Sequence, residues 1–349
     1  MGGCNNADGG FSAGDDMRVL IRDFRSDERA VASTIGTVMA LLVFLTFLSV
    51  IVNQYVPIWM KDSEASHMNT ALGQFGGVKG DIDLQMLAAQ ASADAGTFHI
   101  PVTTATAINL GVDGVPIFSS PTPGTLELSP DAGAFTVAFD YMLQGVRKQA
   151  TDQASGAIVL TASNRYYTPQ RIVYENGGVI RYQTDGQFVR VHPTFSVQVT
   201  NNSLDISFAL VSLYGKGIVT GTTTEMVSTE LFAFDRQDYT SFPSNATVLL
   251  THTSAYGLSW YRFFNQTLSD TLKLGGTYTK IGALSETFTA ITGGKTVYQV
   301  GWTLDPRTQI YTVRLTVNNN PGVMGISYFR LQHAQVQVGI GDATQQVQF

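Results

Sequence analysis

Residues Val31–Met60 carry no charged side chain. The run VASTIGTVMALLVFLTFLSVIVNQYVPIWM exceeds the roughly 20 apolar residues that cross a hydrocarbon core. In lipid such a run must be helical, because every backbone donor and acceptor has to find its partner within the segment. It is too long for a cleavable secretory signal, and no Ala-x-Ala step follows it. Arg18, Arg22, Arg25 and Arg29 precede the run, and only Lys61 follows it closely. Counting Lys and Arg alone places the N-terminus in the cytoplasm and everything after Lys61 outside the cell.

The flanks set further bounds. Residues 1–30 read as a cytoplasmic leader, beginning with the glycine-rich, polar MGGCNNADGGFSAGDD. Residue 6 is Asn, where a myristoylation signal needs Ser or Thr. Cys4 is the only cysteine, so the chain can form no internal disulfide, zinc ribbon or Cys-x-x-Cys redox site. Charged residues make up 14% and the formal net charge is −6. An ordinary soluble domain has about 25% charged residues. Such a charge-poor, acidic chain is a poor match for a phosphate backbone, and no nucleic-acid partner is expected.

The junction reads Ser26-Asp27-Glu28-Arg29-Ala30-Val31-Ala32-Ser33-Thr34-Ile35-Gly36. It resembles the N-termini of archaeal type IV pilin-like proteins, in which Asp-Glu-Arg-Ala-Val leads directly into a long apolar helix. The resemblance covers about residues 26–60. It implies that a prepilin peptidase, the first expected partner, cuts Ala30–Val31, with Arg29, Ala30 and Val31 as the processing residues. Ala32-Ser33-Thr34 departs from the more usual Ser-Pro-Val, and Ile35 stands where bacterial pilins carry a glutamate. An uncharged helix is stable in lipid and can also pack against copies of itself, or other pilin subunits, where Gly36 and Ala40 allow close approach. Pro57 is expected to bend the helix or relax its hydrogen bonding.

Residues 61–96 read as an amphipathic stalk helix. Met68, Leu72, Phe75, Val78, Ile82 and Met86 form one apolar stripe, with Gly96 placed to cap its end. Gly76-Gly77 and Gly80 predict a break or bend at its middle, at about 1 kcal/mol each relative to Ala. Such a helix carries the external domain as a stalk, packs on it, or does both.

From residue 97 to 349 the texture is β. Phe135-Thr-Val-Ala-Phe, Ala157-Ile-Val-Leu-Thr and Phe195-Ser-Val-Gln-Val-Thr alternate or are rich in β-branched residues. Asn176-Gly177-Gly178, Asp185-Gly186 and Gly293-Gly294 signal turns. Residues 171–191 read as a three-strand meander. Leu258, Tyr261, Phe264 and Leu268 predict one short Trp-containing helix. Late strands are expected at Val297–Thr303, Ile310–Val317, Gly325–Leu331 and Ala334–Ile340. The fold class expected is α+β: a long N-terminal transmembrane and stalk helix, then a mainly antiparallel, sandwich-like external domain with one inserted helix. Asp235–Asn245 is the best seam, but one compact β domain is expected.

Sequons at Asn201, Asn245 and Asn265 all fall on the expected outer side and are the candidate glycosylation sites. The histidines His67, His99, His192, His252 and His333 make no metal-type spacing. No nucleophile elbow, P-loop or dinucleotide fingerprint occurs, and Lys216 precedes the glycine pattern that a phosphate loop would need. No catalytic residue, metal or cofactor is therefore expected. The sequence reads as a cell-surface structural or adhesive protein, a type IV pilin-like subunit or minor pilin anchored or polymerised through its helix. The alternative is a single-pass anchored binding module that never polymerises, for which Trp260 or Trp302 in an exposed groove would be the sign. An outer-face hydrolase would need a deep pocket with two close carboxylates or a metal trio.

Overall fold

A computed structural model describes residues 16–115 and 118–341, with side chains from residue 31 onward. The chain divides into two compact units, Met1–Trp59 and Met60–Phe349. The expected class holds: one long apolar N-terminal helix is followed by a mostly antiparallel β-rich domain with a short helix.

Helix α1 spans Asp16–Val50, a π-helical segment spans Ile51–Tyr55, and helix α2 spans Val56–Asp94. The π turn precedes Pro57. There the Val56 N–H donates five residues back, to the Ile51 carbonyl. Proline offers no N–H and crowds the carbonyl of the preceding turn, and a π turn is one way a helix absorbs that crowding. Helix α2 ends in a Schellman motif. Gly96 has φ +68°, its N–H donates to Ala93 O, and the Thr97 N–H donates to Ser92 O.

The expected break at Gly76-Gly77 and Gly80 is absent, because α2 runs through all three. Packing outweighs propensity here. Met68, Ala71, Phe75, Val78 and Ile82 are each at most 1% exposed. A Cβ at Gly77 would stand 3.2 Å from Cγ2 of Thr106, so the glycine lets the first strand approach closely. Polar side chains on α2 complete the seam. His67 Nε2 meets Asn109 O at 2.9 Å, and the Asn109 N–H donates to Gln74 Oε1 at 3.0 Å. Thr106 Oγ1 donates to Asp81 at 2.6 Å, and the Leu231 N–H donates to Gln85 Oε1 at 2.7 Å. Glu64, fully buried, accepts from Thr122 Oγ1 and from the N–H groups of Arg165, Tyr166 and Tyr167. From Met60 onward the stalk is therefore part of the β unit.

The strands follow in order: β1 (Thr104–Asn109), β2 (Gly124–Ser129), β3 (Ala134–Leu143), β4 (Val146–Ala154), β5 (Ala157–Ala162) and β6 (Gln170–Glu175). Then come β7 (Gly178–Gln183), β8 (Gly186–Val191), β9 (Phe195–Thr200), β10 (Ser203–Lys216), β11 (Ile218–Gly221) and β12 (Thr224–Tyr239). After β13 (Thr247–Ser254) comes helix α3 (Gly257–Leu272), and the chain continues with β14 (Gly276–Lys280) and β15 (Ser285–Thr292). The described part closes on β16 (Lys295–Asp305), β17 (Ile310–Asn318) and β18 (Gly325–Ile340). The meander expected at 171–191 is β6-β7-β8, whose first turn places Asn176 and Gly177 at positive φ. The two strands expected at Gly325–Leu331 and Ala334–Ile340 are one, β18. It stays in register with β10 across the junction, while β12 takes up the irregularity at Leu231/Ala233.

Three sheets result: β1-β12-β18-β10-β9, β11-β2-β5-β6-β7-β8 and β14-β15-β16-β17-β13-β3-β4. Among the described strands only β10 and β18 pair in parallel. The first sheet is a middle layer. Leu204, Ile206, Phe208 and Leu210 of β10 face a core shared with the seven-stranded sheet and α3. Ala209, Val211 and Leu213 face a second core shared with the six-stranded sheet and α2. A strand buried on both faces loses polar alternation, which is why Phe208–Val211 reads as a continuous apolar run.

Candidate functional site

The N-terminal unit offers one surface. Val43 and Phe47 are each 70% exposed, and Leu41, Leu42 and Phe44 are exposed as well. An 18-residue window of the helical stretch from Val31 onward reaches mean hydropathy 2.7 with none of it buried. This is a helix long and apolar enough to cross a membrane. Its polar residues turn inward on their own backbone. Thr37 Oγ1 donates to Thr34 O, Thr46 Oγ1 to Leu42 O, and Asn53 Nδ2 to Ser49 O, each at 2.8 Å. Such bonds lower the cost of placing a hydroxyl or carboxamide in hydrocarbon.

The Ala30–Val31 junction lies within α1. Val31 is 58% exposed. The side chains of Arg29 and Ala30 lie outside the described residues, as does all of residues 1–15 with Cys4. The three sequons differ in setting. Asn201 (φ +50°) and Asn245 (φ +67°) are exposed turn residues. Asn265 is half-buried on α3, with its amide nitrogen 3.2 Å from the Tyr278 hydroxyl.

The β unit brings together two polar clusters that no local spacing announces. In the first, His252 Nε2 stands 2.6 Å from Glu175 Oε1, and Ser254 Oγ donates to Glu175 Oε2 at 2.9 Å. All three residues are buried, and the His252 ring stacks on Phe135 at 3.8 Å. The carboxylate lies between the hydroxyl and the imidazole, so the histidine has no contact through which to take the serine proton. This cluster cross-braces β6 and β13.

The second cluster has the other connectivity. Ser212 Oγ on β10 lies 3.0 Å from His333 Nε2 on β18, and His333 Nδ1 lies 3.1 Å from Asp152 Oδ2 on β4. Burial pushes the Asp152 carboxyl up, but the hydrogen bond and charge of His333 outweigh it, and the group sits below the usual aspartate value. In this order the imidazole can take the hydroxyl proton while the carboxylate orients the ring. Nothing local could reveal it, since Asp152, Ser212 and His333 lie far apart in sequence. The one available trace is Ser212 itself, a lone polar residue in the apolar run Phe208–Leu213.

The two tryptophans of the β unit differ in setting. Trp260 is fully buried on α3 against Phe135. Trp302 is half-buried at the edge of the first core, 5.6 Å from Tyr311. It also lines a shallow groove of about 310 Å³ on β15-β16-β17, together with threonines, Gln299, Gly301 and Arg314. Glu225 and Glu230 stand five residues apart on β12, so the pleat turns them to opposite faces. Among the described residues no three His, Cys, Asp or Glu side chains converge as metal ligands.

No protein-family model, curated protein or solved structure matches the chain.

Proposed function

We propose that the chain is a cell-surface structural protein, a type IV pilin-like subunit or minor pilin. It is anchored in the membrane, or polymerised, through the apolar helical stretch from Val31 onward. One observation carries the reading: a long apolar helix with no buried face stands before a β unit that is fully packed on its own. An exposed apolar surface of this size needs a covering, and lipid or copies of the same helix provide it equally well. The residues Asp27-Glu28-Arg29-Ala30-Val31 support release by a prepilin peptidase, with the β unit outside the cell. The exposed Asn201 and Asn245 fit an outer, glycan-bearing surface better than the half-buried Asn265 does.

The assembly claim is tested by shearing surface structures from cells that make the chain. The processed protein is expected in large, detergent-sensitive assemblies. A processed chain found only as a membrane monomer would end the polymer reading and leave the anchored module.

A further inference from the structure

Ser212 is 4% exposed, which leaves no room for an outside substrate to reach its hydroxyl. Any electrophile for the Ser212–His333 pair has to come from the protein. One stands beside it. In the parallel pairing of β10 and β18, Ser212 lies directly opposite Gln335. Neighbouring strands run about 4.8 Å apart, and residues opposite one another project to the same face. Gln335 is two residues beyond His333 on β18, so both side chains share that face. Its carboxamide has no hydrogen-bond partner among the described residues. Hydroxyl, base, orienting carboxylate and an uncommitted carboxamide thus lie together between the middle sheet and β4, with the hydroxyl buried and the other three groups part-buried.

We infer that Ser212 and Gln335 form an intramolecular ester cross-link between β10 and β18, with His333 as the base and Asp152 holding its ring. The Ser212 Oγ–H bond breaks as Oγ bonds to Cδ of Gln335, and His333 Nε2 takes the proton. The tetrahedral adduct collapses, the Cδ–N bond breaks, and His333 returns the proton to the departing nitrogen, which leaves as ammonia. No oxidant, reductant or water is consumed. Ionised Asp152 accepts from His333 Nδ1–H, which leaves Nε2 free to act as the base. Burial of Ser212 limits hydrolysis of the product, and departure of ammonia draws the exchange forward. The outcome suits a chain whose single cysteine rules out an internal disulfide, because it ties the central strand of the middle sheet, β18, covalently to its parallel neighbour β10. The inference is independent of the pilin-like reading.

Peptide mass analysis of the full-length protein in detergent tests it. A single joined peptide is expected, containing both Ser212 and Gln335 and lighter than the sum of the two by one ammonia. Hydroxylamine should split it. Ser212→Ala and His333→Ala should give separate peptides of full mass, and Ser212→Thr should restore the link. Separate, full-mass peptides from the unaltered protein would overturn the inference whether or not the variants fold. Labelling of Ser212 by a fluorophosphonate would overturn it too, since it would show a free and reachable hydroxyl.

Discussion

Single side chains hold α3 to the sheets. Tyr261 donates from α3 to Glu286 on β15 at 2.7 Å, and Lys280 on β14 meets the same carboxylate at 2.9 Å. The hydrogen bond from Lys280 outweighs burial, and with the Tyr261 bond it holds the Glu286 carboxyl below the usual glutamate value. A carboxyl depressed in the folded state contributes stability above its unfolded pKa and loses it as pH falls through the folded one. Glu286→Gln should therefore lower the melting temperature at neutral pH. The gap to the unaltered protein should close as pH drops below the glutamate range, and an equal gap at every pH would contradict the assignment. Trp260 poses a larger test. Fully buried, it meets Phe135 at 4.8 Å and Phe264 at 5.7 Å. Trp260→Ala should cost about 3–5 kcal/mol in a denaturant titration. A loss below about 1 kcal/mol would mean that α3 is not a keystone of the first core. At this scale the sequence is a partial guide. The helical spacing of Tyr261, Phe264 and Leu268 was legible, whereas the burial of Trp260 was not. An indole reads the same in a core as in a binding groove until its neighbours are known.

Among the elements, α2 shows how packing overrides propensity. Its glycines predict a break, yet the stripe from Met68 to Ile82 is sealed against the second core and the helix passes straight through. The two glycines most telling for this differ in what surrounds them. Nothing lies within 4 Å of a Cβ placed at Gly80, whereas one at Gly77 presses on Thr106. Gly80→Ala should raise stability by about 0.5–1 kcal/mol, and Gly77→Ala should give less or none. Equal gains at both positions would show that Gly77 makes no close approach to β1. The Schellman end at Gly96 was legible because its signal is local: one glycine just past the last apolar turn. The continuity of β18 was not, because its pairing with β10 joins residues more than a hundred positions apart. The cluster of Asp152, Ser212 and His333 was hidden for the same reason. Three strands from different parts of the chain bring it together, and no period within any one of them marks it.

For the whole molecule, the division of labour follows from where apolar surface is buried. In the β unit, α2 and α3 seal the cores on either side of the middle sheet, and polar threonine-rich strands face outward. In the N-terminal unit the apolar residues from Val31 to Val50 stay uncovered. Hydropathy and charge mark that asymmetry in the sequence, because a charge-free run of this length has few physical uses. The layering of the β unit was out of reach, since alternation within a strand says which residues are buried but not which sheet buries them. The central claim is that the helix beginning at Val31 is delivered by cleavage at Ala30–Val31 and then serves as anchor or assembly core. The most direct measurement is the N-terminal residue of the mature protein purified from its native membrane. A chain that starts at Val31 is expected. A mature chain that retains Arg18 to Arg29 would contradict it and mark a permanently anchored, unprocessed surface module.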